Sequence, residues 1–245
     1  MTTNWKINLR IRRQKHGETR SDWQDFTLTV DPDDTVLDAV EQVWAIHDRS
    51  LAYRHACHHS TCGACGMRVN GVEKLTCITP IRSVTHENGM IKVEPLRNFP
   101  LVSDLVVDVA PFFQSIEAMH VPGVVTNDQG RLNYEKLPDG SEGQKRLVDC
   151  IECGLCVSAC PVALTDSEYA GPASLAGLQQ SLAASVDGVD SNLADNEDGA
   201  WRCHSAYECS AVCPSHVEPG YRIMDLRKQL MRDSFHRWFG NKEKK

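Results

Sequence analysis

The sequence predicts an α+β protein in two parts, a small mixed domain of strands and a helix over residues 1–100 and an all-helical domain over residues 101–245. Three observations predict it. Apolar residues in the first part alternate with polar ones, the period of two expected of half-buried strands. Beyond residue 100 their spacing widens to that of helices. Eleven cysteines fall into three groups, one in the first part and two in the second.

Trp5, Ile7, Leu9 and Ile11 alternate with Lys6, Asn8 and Arg10, and Phe26, Leu28 and Val30 alternate with Thr27 and Thr29. The stretch Arg13–Asp22 between them contains Gly17 and no apolar residue, so it is a hairpin connection. Thr35 precedes the stripe Val36, Leu37, Val40, Val43 and Trp44, with Asp38 three positions after it, the pattern of a capping box opening an amphipathic helix. Met67 and Val69 run into Asn70-Gly71, a dipeptide that tolerates positive φ in a tight hairpin, and Val72–Leu75 returns. Ile91, Val93 and Pro95 close this part, and Pro95–Pro100 reads as a linker.

From Ser103 the texture reads as helical, with a stripe of Leu105, Val106 and Val109 broken by Pro111 and resumed at Phe112, Phe113 and Ile116. That stripe, with Met119, reads as core. Pro172 after Gly171 and Pro219 before Tyr221, Met224 and Leu226 suit first helical turns. Asp187–Gly199 is acidic and rich in Gly and Asn, so it reads as a surface loop.

At 41% hydrophobic and 24% charged residues, the chain can bury a real core, which excludes wholesale disorder. A net charge of −7 argues against a nucleic-acid partner, and only Lys242, Lys244 and Lys245 in the tail are locally basic. No run approaches the roughly eighteen apolar residues of a membrane span, and Met1–Arg10 lacks the apolar core of a signal peptide. The chain is therefore expected to be soluble and not secreted. An odd number of cysteines in such a chain favours metal binding over a closed set of disulfides.

The first group, Cys57, Cys62, Cys65 and Cys77, has the C-x4-C-x2-C spacing and distant fourth cysteine of plant-type [2Fe-2S] sites. Gly63 and Ala64 leave room for the sulfides of a small cluster. The competing reading is a zinc site or unrelated buried thiols. The second group, Cys150, Cys153, Cys156 and Cys160 followed by Pro161, is a C-x2-C-x2-C-x3-C-P run of the bacterial ferredoxin kind. Zinc fits it poorly, because structural zinc sites pair two-ligand knuckles and do not step three thiolates evenly.

The third group, Cys203, Cys209 and Cys213-Pro214, repeats the second with one member missing, and counting in threes from Cys203 lands on Ala206. If the fold mirrors a two-cluster ferredoxin, Cys213 completes the set of Cys150, Cys153 and Cys156, and Cys160 joins Cys203 and Cys209. Three ligands then imply a [3Fe-4S] cluster beside a [4Fe-4S] cluster. Four, four and three use all eleven cysteines.

A plant-type [2Fe-2S] ferredoxin-like (β-grasp) half followed by an all-helical bacterial-ferredoxin-like half, with one cysteine replaced in the last run, resembles the iron–sulfur subunit of succinate dehydrogenase and fumarate reductase. Further resemblance lies in Val93-Glu94-Pro95-Leu96, Phe99-Pro100, Asp104-Leu105-Val106-Val107-Asp108 and Gly171-Pro172-Ala173. The resemblance implies electron relay between a flavoprotein (FAD) subunit handling succinate and fumarate and a membrane anchor handling quinone. It also implies the cytoplasmic side of the inner membrane, with peripheral attachment through the anchor. In that family the [2Fe-2S] cluster lies nearest the flavin and the [3Fe-4S] cluster faces the quinone. Other readings are a diffusible ferredoxin-like carrier and the iron–sulfur subunit of another flavin-linked oxidoreductase, such as glycolate oxidase or a thiol-dependent fumarate reductase.

His204 follows Cys203 where many such subunits carry a histidine near the quinone; it reads either as a hydrogen-bond or proton partner there or as an ordinary loop residue. The dehydrogenase branch carries a tryptophan shortly after the proline of the second group, where this chain has Leu164 and Thr165, a departure that leans toward fumarate reductase. Ser60 stands where related loops have glycine, which predicts a locally different backbone. His55, His58 and His59 crowd the first loop, but four cysteines already fill that site, so solvated or hydrogen-bonded imidazoles are expected. No nucleotide loop, nucleophile elbow or catalytic carboxylate pair occurs, so no substrate site is expected on this chain alone.

Overall fold

The computed structural model describes residues 4–119, 150–183 and 189–239, and they fall into two compact units. The first comprises the described residues of 1–109 with 151–159, and the second those of 110–150 and 160–245. No helix among the described residues is long and apolar enough to cross a membrane.

In the first unit the alternating stretches form β1 (Trp5–Arg13) and β2 (Asp22–Val30), antiparallel with Trp5 opposite Val30 and Arg13 opposite Asp22. That register turns Ile7, Leu9 and Ile11 inward beside Phe26, Leu28 and Val30. Each such side chain contributes roughly 1.5–3 kcal/mol on burial. Helix α1 (Val36–Gln42) opens with the expected reciprocal cap: Thr35 accepts from the N–H of Asp38, whose carboxylate accepts from the N–H of Thr35. A π-helical turn, Val43–His47, continues it.

β3 (Gly66–Val69) and β4 (Val72–Leu75) pair through Asn70 and Gly71, with φ of 50° and 86°, the two positive values that this turn requires. β5 (Met90–Glu94) runs parallel to β1 and antiparallel to β3, giving the sheet order β2-β1-β5-β3-β4. This is the β-grasp arrangement anticipated for the first part.

The helical texture expected from Ser103 begins instead at Ala110. Residues Leu101–Ser103 (β6) and Val106–Val107 (β7) form a short antiparallel ladder. Asp104 between them decides this, because its buried carboxylate accepts from the N–H groups of Gln14 (3.0 Å) and Ala52 (2.9 Å) and pairs with Arg13. A helix through 103–109 would break those bonds.

The stretch Pro95–Pro100 cradles the segment 151–159, which carries α3 (Leu155–Ala159). The Arg97 N–H donates to Ser158 Oγ at 2.9 Å, and the Asn98 amide donates to the Val157 carbonyl at 2.7 Å. From β4, the buried Glu73 accepts from the Ser158 hydroxyl at 2.8 Å and pairs with Arg68 and Arg97.

The described residues of the second unit are helical apart from connections. They form α2 (Ala110–Ala118), α4 (Pro161–Thr165), α5 (Pro172–Ala183), α6 (Glu208–Ala211) and α7 (Pro219–Phe239), with 3-10 turns at Ser191–Leu193 and Ala200–Arg202. Pro172 and Pro219 open their helices as expected. The core gathers Leu175 and Leu178 from α5, Ile223, Leu226 and Leu230 from α7, and Val162 and Tyr169. Phe112 is buried while Phe113 is exposed, so the expected aromatic stripe is only partly core. Part of the predicted loop Asp187–Gly199 lies outside the described residues.

Candidate metal centres

Two of the three expected cysteine sets come together within single units. The first lies wholly in the first unit, where the loop 57–65 leads into β3 and Cys77 follows β4. Its thiols converge: Cys57 hydrogen-bonds with Cys62 and Cys65 with Cys77, and Cys57 also lies near enough to act on Cys77. The N–H groups of His59 (3.5 Å), Thr61 (3.3 Å) and Cys62 (3.4 Å) all donate to Cys57 Sγ. Led by His59, they lower the Cys57 thiol to about 6, whereas burial pushes Cys77 up to about 11.

The loop achieves this by turning through left-handed residues, with φ of 60° at His58, 59° at Ser60 and 70° at Gly63. Successive turns of this kind aim backbone N–H groups into a concavity suited to anions and iron–sulfur clusters. Ser60 thus holds the left-handed conformation for which glycine is the default. Gly63 is needed for a second reason. A Cβ there would lie 2.8 Å from Cys153 Cα and 3.0 Å from the Ile151 carbonyl oxygen, so the first loop and the segment bearing Cys153 and Cys156 meet in van der Waals contact within this unit.

Of the second expected set, Cys153 and Cys156 ride on that segment, with left-handed turns at Glu152 (φ 52°) and Gly154 (φ 73°). Cys150 and Cys213 belong to the second unit, where the Val217 N–H donates to Cys213 Sγ at 3.3 Å.

The third set lies entirely in the second unit. Cys160 at the start of α4, Cys203 after the turn Ala200–Arg202, and Cys209 in α6 line one pocket of about 320 Å3, counted with its solvent-open part. Ala206, His204, Tyr207 and Tyr169 line it too. Burial and the neighbouring thiols of Cys160 and Cys203 push Cys209 up to about 12, and burial raises Cys160. The N–H groups of Val162 and Ala163 hydrogen-bond to Cys160, and that of Ser205 to Cys203 Sγ at 3.4 Å. Left-handed turns at Ser205 (φ 56°) and Tyr207 (φ 61°) again curl the chain between cysteines. Arg227 of α7 fixes the approach to Cys203 by donating to the carbonyls of Ala200 (2.8 Å), Trp201 (2.9 Å) and Cys203.

Converging thiols with N–H donors aimed at sulfur fit iron–sulfur clusters at the first and third sites. Sequence reasoning missed Tyr169, which is buried and hydrogen-bonds to Cys203, its hydroxyl pushed up by burial and by the three thiols. It also missed Glu73, whose only sequence signal was an acidic residue in a strand. His55 and His58 contact each other and Glu41.

Residues 8–114 match the family of 2Fe-2S iron–sulfur cluster binding domains, and residues 146–217 match the 4Fe-4S dicluster domains. The fumarate reductase iron–sulfur subunit of Mycobacterium tuberculosis is 34% identical over 215 residues, covering 84% of this chain and 85% of that one. Its counterpart in Escherichia coli O6:H1 is 35% identical over 237 residues, 94% of each. Among solved structures, a chain of the Mycobacterium smegmatis Sdh1 complex in the apo form superposes with a TM-score of 0.78 at 25% identity, over 95% of this chain and 98% of that one.

Proposed function

The chain belongs to the family of iron–sulfur subunits of fumarate reductase and succinate dehydrogenase, and from that membership we propose the parts of its role in full. As an electron-transfer subunit of the succinate:quinone oxidoreductase family, it works between a flavoprotein (FAD) subunit, where succinate and fumarate react, and one or more membrane-anchor subunits that bind quinone. It sits on the cytoplasmic side of the inner membrane and is held there by the anchor. Residues 1–100 carry the [2Fe-2S] cluster and residues 101–245 hold the [4Fe-4S] and [3Fe-4S] clusters. When bound, the clusters supply one-electron redox chemistry.

The chain's own residues hold and tune them. Cys57, Cys62, Cys65 and Cys77 ligate the [2Fe-2S] cluster; Cys150, Cys153, Cys156 and Cys213 the [4Fe-4S] cluster; Cys160, Cys203 and Cys209 the [3Fe-4S] cluster. The pocket carries this reading furthest: three cysteines and Ala206 share its wall, as expected of a four-ligand run with one thiolate replaced. His204 lines the same pocket, which supports a role as hydrogen-bond partner or proton carrier for quinone at that end. Glu73 and the cradle of Arg97 and Asn98 keep Cys156 in place beside the first loop.

Anaerobic purification of the tagged chain from its own cells tests the proposal. A flavoprotein and small apolar subunits should accompany it, with about nine irons per chain, the sum of two, four and three. A lone chain containing zinc and little iron would contradict it.

A further inference from the structure

We propose that Glu41, His55 and His58 form a binding site for a divalent transition-metal ion of the zinc type, on the first unit and distinct from the cysteine ligands. Glu41 stands near the end of α1, and the two histidines come from the chain that enters the first cysteine loop. Glu41 Oε1 lies 3.3 Å from His55 Nδ1 and 3.3 Å from His58 Nε2, and the two ring nitrogens are 2.9 Å apart. Tetrahedral zinc with ligands at about 2.0–2.1 Å sets them about 3.3–3.4 Å from one another. The three atoms therefore already outline one face of such a tetrahedron, and only the nitrogen pair has to open by a few tenths of an ångström.

The donors are also held in place before any ion arrives. The His55 ring stacks on Tyr53 with centroids 5.2 Å apart and planes 15° apart, and Tyr53 meets Trp44 edge-on at 6.2 Å. His58 packs at right angles to His55 at 5.1 Å, on a residue whose φ of 60° fixes its direction. Glu41 Oε1 is the unusual group, because it is shielded from water and makes no hydrogen bond. A cation between it and the two rings would give that shielded acceptor a partner.

The donor set selects the class of ion. Two imidazoles and one carboxylate suit zinc and its neighbours, whereas calcium and magnesium require shells of oxygen. Three protein ligands leave a fourth position, and the histidine side chains, each 43% exposed, leave it open to water.

The test uses the full-length chain with its clusters loaded, stripped of loosely held metal and dialysed against Zn2+ while iron content is followed. Zinc should bind at about one per chain with iron unchanged, and X-ray absorption at the zinc edge should show nitrogen and oxygen at about 2.0–2.1 Å and no sulfur. His55→Phe keeps a ring on Tyr53 but removes a donor; Glu41→Gln keeps the shape but removes the charge. Each should weaken zinc binding by at least about 10–100-fold, the loss seen when a mere supporting partner of a ligand is removed. Because the two variants alter different elements, misfolding of one, visible as lost iron, leaves the other to decide. Sulfur around the zinc, no zinc at constant iron, or undiminished affinity in an iron-replete variant would each overturn the proposal.

Discussion

At the Cys57 loop three backbone N–H groups reach one sulfur and lower its thiol to about 6, whereas at the Cys209 pocket burial lifts the thiol to about 12. The first site is made from one loop and the turn after β4, with its four cysteines between residues 57 and 77, Cys62 exposed and Cys65 and Cys77 buried. The second is part of a core: Cys160 packs among Leu175, Leu178 and Ile223, and Cys203 and Cys209 arrive from more than forty residues away. Hydrogen bonds to sulfur and burial are two of the levers by which a protein sets cluster potential, and Cys57 and Cys209 lean on them in opposite proportion.

The comparison is broken most severely by Cys209→Ser. If Cys160, Cys203 and Cys209, which line the pocket, hold the proposed three-iron cluster, loss of one should release about three irons and leave the [2Fe-2S] cluster intact, read by iron analysis and by the spectrum of the reduced protein. Retention of all iron would mean that Cys209 is not a ligand. A functional asymmetry should follow from His204→Ala, which should slow quinone-linked turnover about a hundredfold, the lower end of what a positioned acid or base contributes, and spare electron transfer from succinate to a flavin-level acceptor. Equal effects on both assays would return His204 to an ordinary loop residue.

Smaller effects sharpen the account of the first unit. Glu73→Ala removes the buried acceptor of Ser158, Arg97 and Arg68 and should loosen α3 by about 2 kcal/mol, seen as faster amide exchange over residues 155–159 and not in β1 or β2. The Ser50 hydroxyl, then Arg13, holds the Asp48 carboxyl well below the usual carboxylate range. A depressed folded-state value means stability that is present above about pH 4 and is lost as the pH falls below it. Asp48→Asn should therefore lower the thermal midpoint at pH 7, by the equivalent of about 1 kcal/mol, and the difference should vanish in acid.

Much of this was legible in the sequence wherever chemistry or pattern is local. Alternation set β1 and β2, Thr35 and Asp38 marked the start of α1, and Asn70-Gly71 marked the hairpin. The cysteine groups were readable because few residue types bind iron and their spacings are short. What escaped depends on partners far along the chain. Leu105, Val106 and Val109 fit a helical stripe, and only the buried contact of Asp104 with Arg13, Gln14 and Ala52 makes that stretch a ladder. The tie from Glu73 to Ser158 spans 85 positions. His55 and His58 were expected to be solvated or hydrogen-bonded, and they are hydrogen-bonded to each other, but no local pattern announces Glu41 as the third member.

The claim that the third group is a ferredoxin run with its second ligand replaced is tested most directly by the oxidised paramagnetic spectrum of Ala206→Cys. Ala206 lines the pocket with Cys160, Cys203 and Cys209, so a thiolate there should complete a [4Fe-4S] cluster. An oxidised three-iron cluster is paramagnetic and an oxidised four-iron cluster of this type is silent. The three-iron signal should disappear while iron rises from about nine to about ten per chain. A full three-iron signal with unchanged iron would show that position 206 does not face the vacant corner, and the reading of the third group would fall.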